Sequence, residues 1–160
     1  MPVTLRLEGA ERLSAALRRA PDTVTSEQAR AMTASLLLVE GDARRNARQD
    51  TRQLANSITH RQTQRGQTLV GAVGPSARYG LYVERGSRPH YPPVAALVGW
   101  ARRRGVSPYA VQRAIGRRGT RARPFLAPAF TKNAARIVAL FARAGARVTA
   151  TVAVQSGGRA

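Results

Sequence analysis

The sequence contains no cysteine and only two histidines. Without cysteine there can be no disulfide framework, no thiolate metal site and no cysteine nucleophile. His60 and His90 stand alone, with no histidine or carboxylate at i+3 or i+4, whereas a metal site needs three or four ligands. We therefore predict no metal site and no cofactor.

Acidic residues are almost absent from the last two thirds of the chain. Residues 1–50 hold eight arginines and seven acids, whereas residues 51–160 hold nineteen basic residues and one acid, Glu84. Nothing in the spacing pairs Glu84 with a second carboxylate for acid–base catalysis. Ser57 and Ser87 lack a nucleophile-elbow context, and "GRRGT" at 116–120 lacks the lysine of a phosphate-binding loop. We predict that the protein is not an enzyme and has no catalytic residues.

Long hydrophobic runs are also missing. The longest, "PPVAALVGWA", is much shorter than the roughly 20 residues that span a bilayer, and "MPVTLRLEGAERL" does not resemble a signal peptide. We expect a soluble protein made in the cytoplasm, without a membrane partner. A length of 160 residues favours a single domain, predicted as 1–154 with a mobile tail at 155–160.

The first half of the chain predicts a strand, two helices and a hairpin. Val3–Leu7 alternates as a strand, and a helix with Leu13, Ala16 and Leu17 on one face is expected to end at Pro21. A long helix capped by Asp22 or Thr25 follows, with apolar residues three and four apart at Ala29, Met32, Leu36, Val39 and Ala43. β-Branched alternation on both sides of Arg65-Gly66 predicts a hairpin that ends at Gly74-Pro75-Ser76.

The second half predicts short helices between loops. Tyr79–Glu84 fits either an extended chain or a helical turn. A helix opened by Pro93 is expected to stop at Gly105, and a second short helix should end at Gly116. After a loop through "RRGTRARPFLAPAF", Thr131 is expected to cap a helix, and "RVTATVAVQ" reads as a final strand.

Two arginine clusters lie on either side of the second short helix. They comprise Arg102, Arg103 and Arg104 on one side, and Arg117, Arg118 and Arg121 on the other. Arginine-rich turns contact phosphates readily, but the few aromatic residues argue against sequence-specific reading of single strands. One function compatible with this charge is that of a stand-alone basic protein that binds nucleic acid non-specifically.

Three segments, in order, form a pattern. "DTRQLANSI" matches Asp-Thr-Gly-x-Leu-x-x-Ser-Ile, with Arg52 where glycine is usual. "YGLYVERGS" matches Tyr-Ala-x-Tyr-Val-Glu-x-Gly-Thr/Ser, with Gly80 where alanine is usual. "RPFLAPA" at 123–129 is the third. Together they resemble the neck and tail-completion proteins of long-tailed phages, the gene-ten-product-like family of lambda-like siphophages.

The resemblance implies a structural virion protein at the head–tail junction or tail end, made in the host cytoplasm. It implies a homo-oligomeric ring around the DNA channel, which contacts a head-closure protein, a tail terminator or the tail tube. It also implies an α+β fold, in which the long helix packs on an antiparallel sheet and short helices form an insertion before the C-terminal helix. In such a ring the two arginine clusters would face the packaged DNA.

The motifs supply candidate subunit-interface residues, namely Tyr79, Tyr82, Glu84, Gly86, Arg123, Phe125 and Leu126. Glu84 is available to pair with an arginine of a neighbouring subunit or of its own chain. Phe125 and Leu126, between prolines, would either anchor a partner or fold back onto their own core.

Overall fold

A computed structural model describes residues 10–47, 52–66 and 68–156, which form an α+β fold as predicted. Within these residues, six helices accompany one two-stranded antiparallel sheet. They are α1 (Ala10–Asn46), α2 (Gln53–Ser57), β1 (Ile58–Arg65), β2 (Thr68–Pro75), α3 (Gly80–Arg85), α4 (Val94–Arg103), α5 (Pro108–Arg118) and α6 (Leu126–Ser156). The predicted strand Val3–Leu7 lies outside the described residues, as do the side chains of the predicted Leu13, Ala16 and Leu17 face.

Helix α1 continues through Pro21, so the predicted break there was wrong. A proline inside a helix removes one backbone donor and crowds the carbonyl four residues earlier, but its fixed φ is itself helical. The helix therefore tolerates Pro21 where packing of the following turns stabilises it, and Leu36, Val39 and Ala43 are buried there. Two further residues of the predicted apolar stripe, Ala29 and Met32, are half-buried.

The chain forms two compact units, each drawn from separate stretches of sequence. Unit 1 comprises Met1–Val39, His60–Ala72 and Lys132–Ala160, and unit 2 comprises Glu40–Thr59 and Val73–Thr131. The predicted boundaries 1–154 and 155–160 stay a prediction.

In unit 1 the hairpin packs on α1. A methyl group added to Gly71 of β2 would lie 2.5 Å from the Met32 sulfur and 2.9 Å from Leu36 Cδ2, so the strand and the helix approach closely at this glycine. On β1, Gln62 Oε1 accepts a 3.0 Å hydrogen bond from the Thr33 hydroxyl. These contacts confirm the predicted packing of the long helix on the sheet.

Helix α6 is held to α1 in unit 1 through a buried carboxylate. Glu27 is 7% exposed and accepts hydrogen bonds from Arg147 Nε at 2.5 Å and from Arg30 Nη1 at 2.7 Å. The bond from Arg147 is the main cause that lowers the pKa of Glu27, although burial opposes the shift. Ala144, one turn before Arg147, is also buried.

The hairpin and the two short helices end close to the predicted positions. Gly66 adopts φ +58° in the hairpin turn, and β2 ends at Pro75. Helix α4 ends at Arg103 before Gly105 at φ +63°. Helix α5, however, continues past Gly116 to Arg118, because the left-handed stop is Gly119 at φ +69°.

The predicted C-terminal strand was wrong, because "RVTATVAVQ" belongs to α6. β-Branched residues favour strands only weakly, and a strand needs a partner with free backbone groups. A helix that is already formed gains one backbone hydrogen bond for each residue it adds. The alternating pattern of these nine residues therefore does not produce a strand, because extension of the preceding helix is more favourable.

Among the described helices, one is long and apolar enough to cross a membrane, by length and composition only. It covers Leu126–Val154 with a mean hydropathy of 1.6 in its most apolar window, and only 6% of that window is buried within the chain. Val138 and Val154 are 69% and 76% exposed. The same helix carries Arg147, which bonds to Glu27, so one of its arginines already has a partner on α1.

Candidate functional site

The three motif segments come together in unit 2, around the end of α1. Arg44 donates from Nε and Nη2 to the carbonyl of Ile58, at 3.1 and 2.8 Å, which holds the first motif. Asn46 donates to the carbonyl of Phe125, at 3.3 Å, which holds the third. Ile58 and Phe125 are 0% and 1% exposed, so these two motif positions form the core of unit 2.

Arg52 keeps the backbone geometry that the family pattern assigns to glycine. It adopts φ 57° and ψ −3°, the left-handed conformation, and is the only non-glycine residue with positive φ among the described residues. Glycine reaches this region without steric cost, whereas other residues pay about 1–2 kcal/mol. The chain therefore accommodates arginine here in a conformation that favours glycine.

Ser57 and Leu54, also from the first motif, support the segment that leads into α3. The carbonyl of Ser57 accepts bonds from the backbone amide of Ser76, at 2.8 Å, and from its hydroxyl, at 3.2 Å. A methyl group added to Gly80 would lie 2.3 Å from Pro75 Cγ and 3.3 Å from Leu54 Cδ1. This crowding explains why glycine stands where the family pattern has alanine.

Glu84 caps the N-terminus of α6. Its Oε2 accepts the backbone amides of Phe125 at 2.7 Å and Leu126 at 3.0 Å, and its Oε1 accepts that of Ala127 at 3.0 Å. The first four amides of a helix have no partner within the helix. Counted from Phe125, the residue before the helix, the fourth position is Pro128, which has no N–H. Glu84 therefore accepts all three N–H groups that remain, those of Phe125, Leu126 and Ala127.

This capping moves the start of α6 upstream of the prediction. The helix begins at Leu126, not at Thr131, whose hydroxyl instead donates to the carbonyl of Ala127 within the helix, at 3.0 Å. Sequence reasoning considered only local caps, whereas Glu84 lies about forty residues earlier in the chain. Of the two readings of Tyr79–Glu84, the helical one is correct, since α3 covers Gly80–Arg85.

The Glu84 carboxylate is held in its charged form. Burial raises its pKa, but the amides of Leu126, Phe125 and Ala127 lower it, and the charge of Arg85 adds to them. The net result is a pKa below its ordinary value of 4.5. Within its own chain Glu84 bonds to the backbone amides of Phe125, Leu126 and Ala127, and its pairing with an arginine of a neighbouring subunit stays a prediction.

Gly86 and Ser87 tie the second motif to the segment before α6. Gly86 adopts φ +74°, and a methyl group there would lie 2.4 Å from the carbonyl oxygen of Thr120. Ser87 and Thr120 form an antiparallel bridge with backbone bonds of 3.1 Å in both directions. Beyond it, the amide of Arg123 donates to the carbonyl of Val83 at 2.8 Å.

A cleft of about 630 Å³ opens beside the Glu84 cap. Its walls are mostly apolar, from Pro75, Ala77, Leu81, Pro124, Leu126 and Ala127, and Arg78 and Arg85 also line it. Tyr79, just before α3, and Leu81 and Tyr82 within it are 41%, 53% and 60% exposed. The cleft is thus a mostly apolar surface with two cationic side chains.

The predicted interface residues fall into two groups. Tyr79, Tyr82 and Arg123 are exposed and Leu126 is half-buried, so these four are accessible on the chain. Glu84 and Gly86 are engaged in internal contacts, and the Phe125 side chain is buried in the core, so it is not an exposed anchor. Leu81, Arg78 and Arg85 were missed, because their position at the cleft depends on α3 being a helix.

All six arginines of the two predicted clusters are exposed. His90 lies near them, with its Nδ1 2.9 Å from the carbonyl of Arg88 and 3.4 Å from the Ser87 hydroxyl. Nδ1 therefore donates to a carbonyl, which does not suit a base that would activate Ser87. Across the described part of the chain, no group of three or more histidine, cysteine or acidic residues is placed to hold a metal ion.

These features describe a small α+β protein with an exposed, mostly apolar cleft and exposed arginine clusters. A family model described as "Bacteriophage HK97-gp10, putative tail-component" matches residues 11–86. The match confirms the predicted resemblance and includes the second motif up to Gly86, whereas the third motif lies beyond it. No curated protein and no solved structure matches the chain. Over residues 11–86, somewhat less than half of its length, the chain is similar to the HK97-gp10-like tail components, and this similarity implies a structural role in the phage tail and a place in the virion.

Proposed function

We propose that the chain assembles into a ring of identical subunits at the head–tail junction or tail end of a phage or prophage. There it completes the tail or joins it to the filled head, in contact with a head-closure protein, a tail terminator or the tail tube. Assembly takes place in the host cytoplasm, and the finished ring surrounds the DNA channel. The protein acts by shape and contact and carries out no chemical reaction.

The observation that carries this proposal is the cleft beside the Glu84 cap. Leu81 lines the cleft and is more than half exposed, next to walls that the three motifs hold in place, and Tyr82, the next residue of α3, is also more than half exposed. Exposed apolar residues around a preformed concave surface are typical of an interface, because binding then orders few additional groups. We propose that an apolar side chain of the neighbouring subunit occupies this cleft and that Tyr79, Tyr82, Arg123 and Leu126 contact that subunit.

The chain offers a matched pair of leucines to test this interface. Leu81, at the cleft, and Leu37, on α1, are 53% and 54% exposed. Light scattering and negative-stain microscopy would compare wild type with Leu81→Ser and Leu37→Ser at matched concentrations. We expect a discrete ring for wild type and for Leu37→Ser, and dissociation for Leu81→Ser.

A wild-type monomer that also stays monomeric with the partner tail proteins would contradict the ring. A ring lost in Leu37→Ser but kept in Leu81→Ser would contradict the cleft as its interface.

A second candidate function is stand-alone, non-specific binding of nucleic acid. The observation that favours it is the exposure of Arg102, Arg103, Arg104, Arg117, Arg118 and Arg121 in a segment without acids. In the ring these arginines face the packaged DNA, whereas in the alternative they act on a monomer. A monomer that binds DNA tightly at physiological salt and does not join tail proteins would favour the alternative.

A further inference from the structure

Helices α4 and α5 form a helical hairpin, in which the residues before α4 are hydrogen-bonded to α5. The amide of His90 donates to the carbonyl of Ile115 at 3.4 Å, and Gln112 Nε2 donates to the carbonyl of Pro92 at 2.8 Å. The residues before α4 therefore lie beside the C-terminal half of α5, which makes the two helices antiparallel. The Ser87–Thr120 bridge closes the base of this segment, which we call the 88–121 hairpin.

The hairpin has a charge of one sign. It contains eight arginines and no acid, because Glu84 is the last acidic residue of the sequence. All eight are exposed: Arg88, Arg102, Arg103, Arg104, Arg113, Arg117, Arg118 and Arg121. The described acids of unit 2 have partners outside the hairpin: Glu40 pairs with Arg44, Asp42 with Arg45, and Glu84 with the start of α6.

The antiparallel arrangement places the two arginine clusters at opposite ends of the hairpin. Arg102 and Arg103 lie in the last turn of α4 and Arg104 follows it, at the tip, whereas Arg117, Arg118 and Arg121 lie at the base. Helix α5 has 11 residues, so about 16 Å separates the two ends at 1.5 Å per residue. This distance exceeds the roughly 12 Å width of the major groove of DNA, so the clusters can reach phosphates on both of its sides.

Exposed aromatic side chains accompany the arginines. Tyr91, Trp100 and Tyr109 are 68%, 39% and 63% exposed, and the Arg104 guanidinium lies 4.3 Å from the Trp100 ring centroid. A guanidinium stacked on an aromatic ring is held in a fixed direction and still offers its donors to an anion.

We propose that the 88–121 hairpin binds the sugar–phosphate backbone of duplex DNA without sequence preference. Its position facing DNA in the virion rests on the proposed ring, but the binding itself does not. Arginine donates two parallel hydrogen bonds to a phosphate, and charge spread over both ends of a hairpin suits an extended polyanion better than a single acidic side chain.

The test measures binding of the full-length protein to labelled duplexes of two unrelated sequences, by fluorescence anisotropy between 50 and 300 mM salt. One triple variant is R102Q/R103Q/R104Q and another is R117Q/R118Q/R121Q. The control, R61Q/R65Q/R136Q, removes three exposed arginines from elsewhere in the chain. Circular dichroism verifies that each variant is folded.

We expect both duplexes to bind equally and each hairpin variant to lose about 2.7 units of the log–log salt slope, about 0.9 for each phosphate contact removed. Affinity at 100 mM salt should fall at least tenfold in the hairpin variants and less than threefold in the control. Equal losses in the control would overturn the proposal, since the general charge would then account for binding. Failure of the wild type to bind at 50 mM salt would also overturn it.

Competition by polyglutamate as effective, per charge, as that by DNA would overturn it in favour of an acidic protein partner. The result of the DNA-binding test can be distinguished from the result of the test of ring assembly. A ring that ignores duplex DNA refutes the hairpin proposal alone, and a protein that binds DNA through the hairpin but stays monomeric with the partner tail proteins refutes the ring alone.

Discussion

Replacement of Glu84 tests how the motifs hold unit 2 together. The carboxylate accepts three backbone amides at 2.7, 3.0 and 3.0 Å. A hydrogen bond to a charged group contributes roughly 1.5–3 kcal/mol when buried, but the amides freed here are next to an open cleft and can regain water. We therefore expect Glu84→Ala to lower the free energy of unfolding by about 2–4 kcal/mol.

Glu84→Gln separates charge from shape. The glutamine side chain has nearly the same size, but its NH₂ group would face an amide N–H, so at least one of the three bonds is lost. We expect a cost of about 1–2 kcal/mol at pH 7, comparable to the loss of a helix N-cap.

The pH dependence of this cost follows from the lowered pKa of Glu84. The carboxylate is favoured more in the folded than in the unfolded state, so its contribution is complete above the unfolded value near 4.5. It disappears as the pH falls through the lower folded pKa. The stability difference between wild type and Glu84→Gln should therefore shrink between pH 5 and pH 3.

Urea unfolding at pH 7 and pH 3.5 measures the stability lost in the Glu84 variants and its dependence on pH. Asp22→Asn is the control and removes one exposed acid from α1. The control should change stability by less than about 0.5 kcal/mol, as is usual for surface substitutions. Hydrogen exchange should show faster exchange at the Leu126 and Ala127 amides in Glu84→Gln. If Glu84→Ala matched the wild type at pH 7, or if these amides kept their protection, the assignment of Glu84 as the α6 cap would be refuted.

Three further changes test the packing and the backbone of unit 2 by urea unfolding. Phe125→Ala should cost about 3–5 kcal/mol and Phe130→Ala less than about 1, since the two rings are 1% and 60% exposed; equal costs would contradict this core. Gly119→Ala should cost more than Gly105→Ala, because only at Gly119 would the methyl group collide, 2.0 Å from a carbonyl oxygen. Arg52→Gly should stabilise by up to about 1 kcal/mol by relieving φ 57°, and a loss of stability would refute strain there.

The errors made from sequence share one physical cause, which is that local patterns carry no information about distant partners. Proline at 21 reads as a stop, and alternation after Arg147 reads as a strand, because each inference uses only neighbouring residues. Packing against the rest of the fold keeps α1 helical, and a preceding helix keeps α6 helical. Helix ends marked by a glycine with positive φ, such as Gly105 after α4, were predicted closely, because the glycine is visible in the local sequence.

The candidate site was predicted in part. The motifs single out Tyr82, Glu84 and Phe125, because the order and spacing of the three segments match a family pattern. Their individual roles could not be read in this way. An exposed ring, a helix cap and a core side chain look alike in a motif, and only burial and hydrogen bonding distinguish them.

Sequence alone determined the charge asymmetry, the long helix, the hairpin turn and the similarity to phage tail components, because composition, periodicity and motif order are properties of the linear chain. Tertiary structure decided that Glu84 caps a helix about forty residues away and that α3 exposes Leu81 at a cleft. It also decided that two arginine clusters lie at opposite ends of one hairpin. These are relations between distant segments, and they exist only once the backbone has brought those segments together.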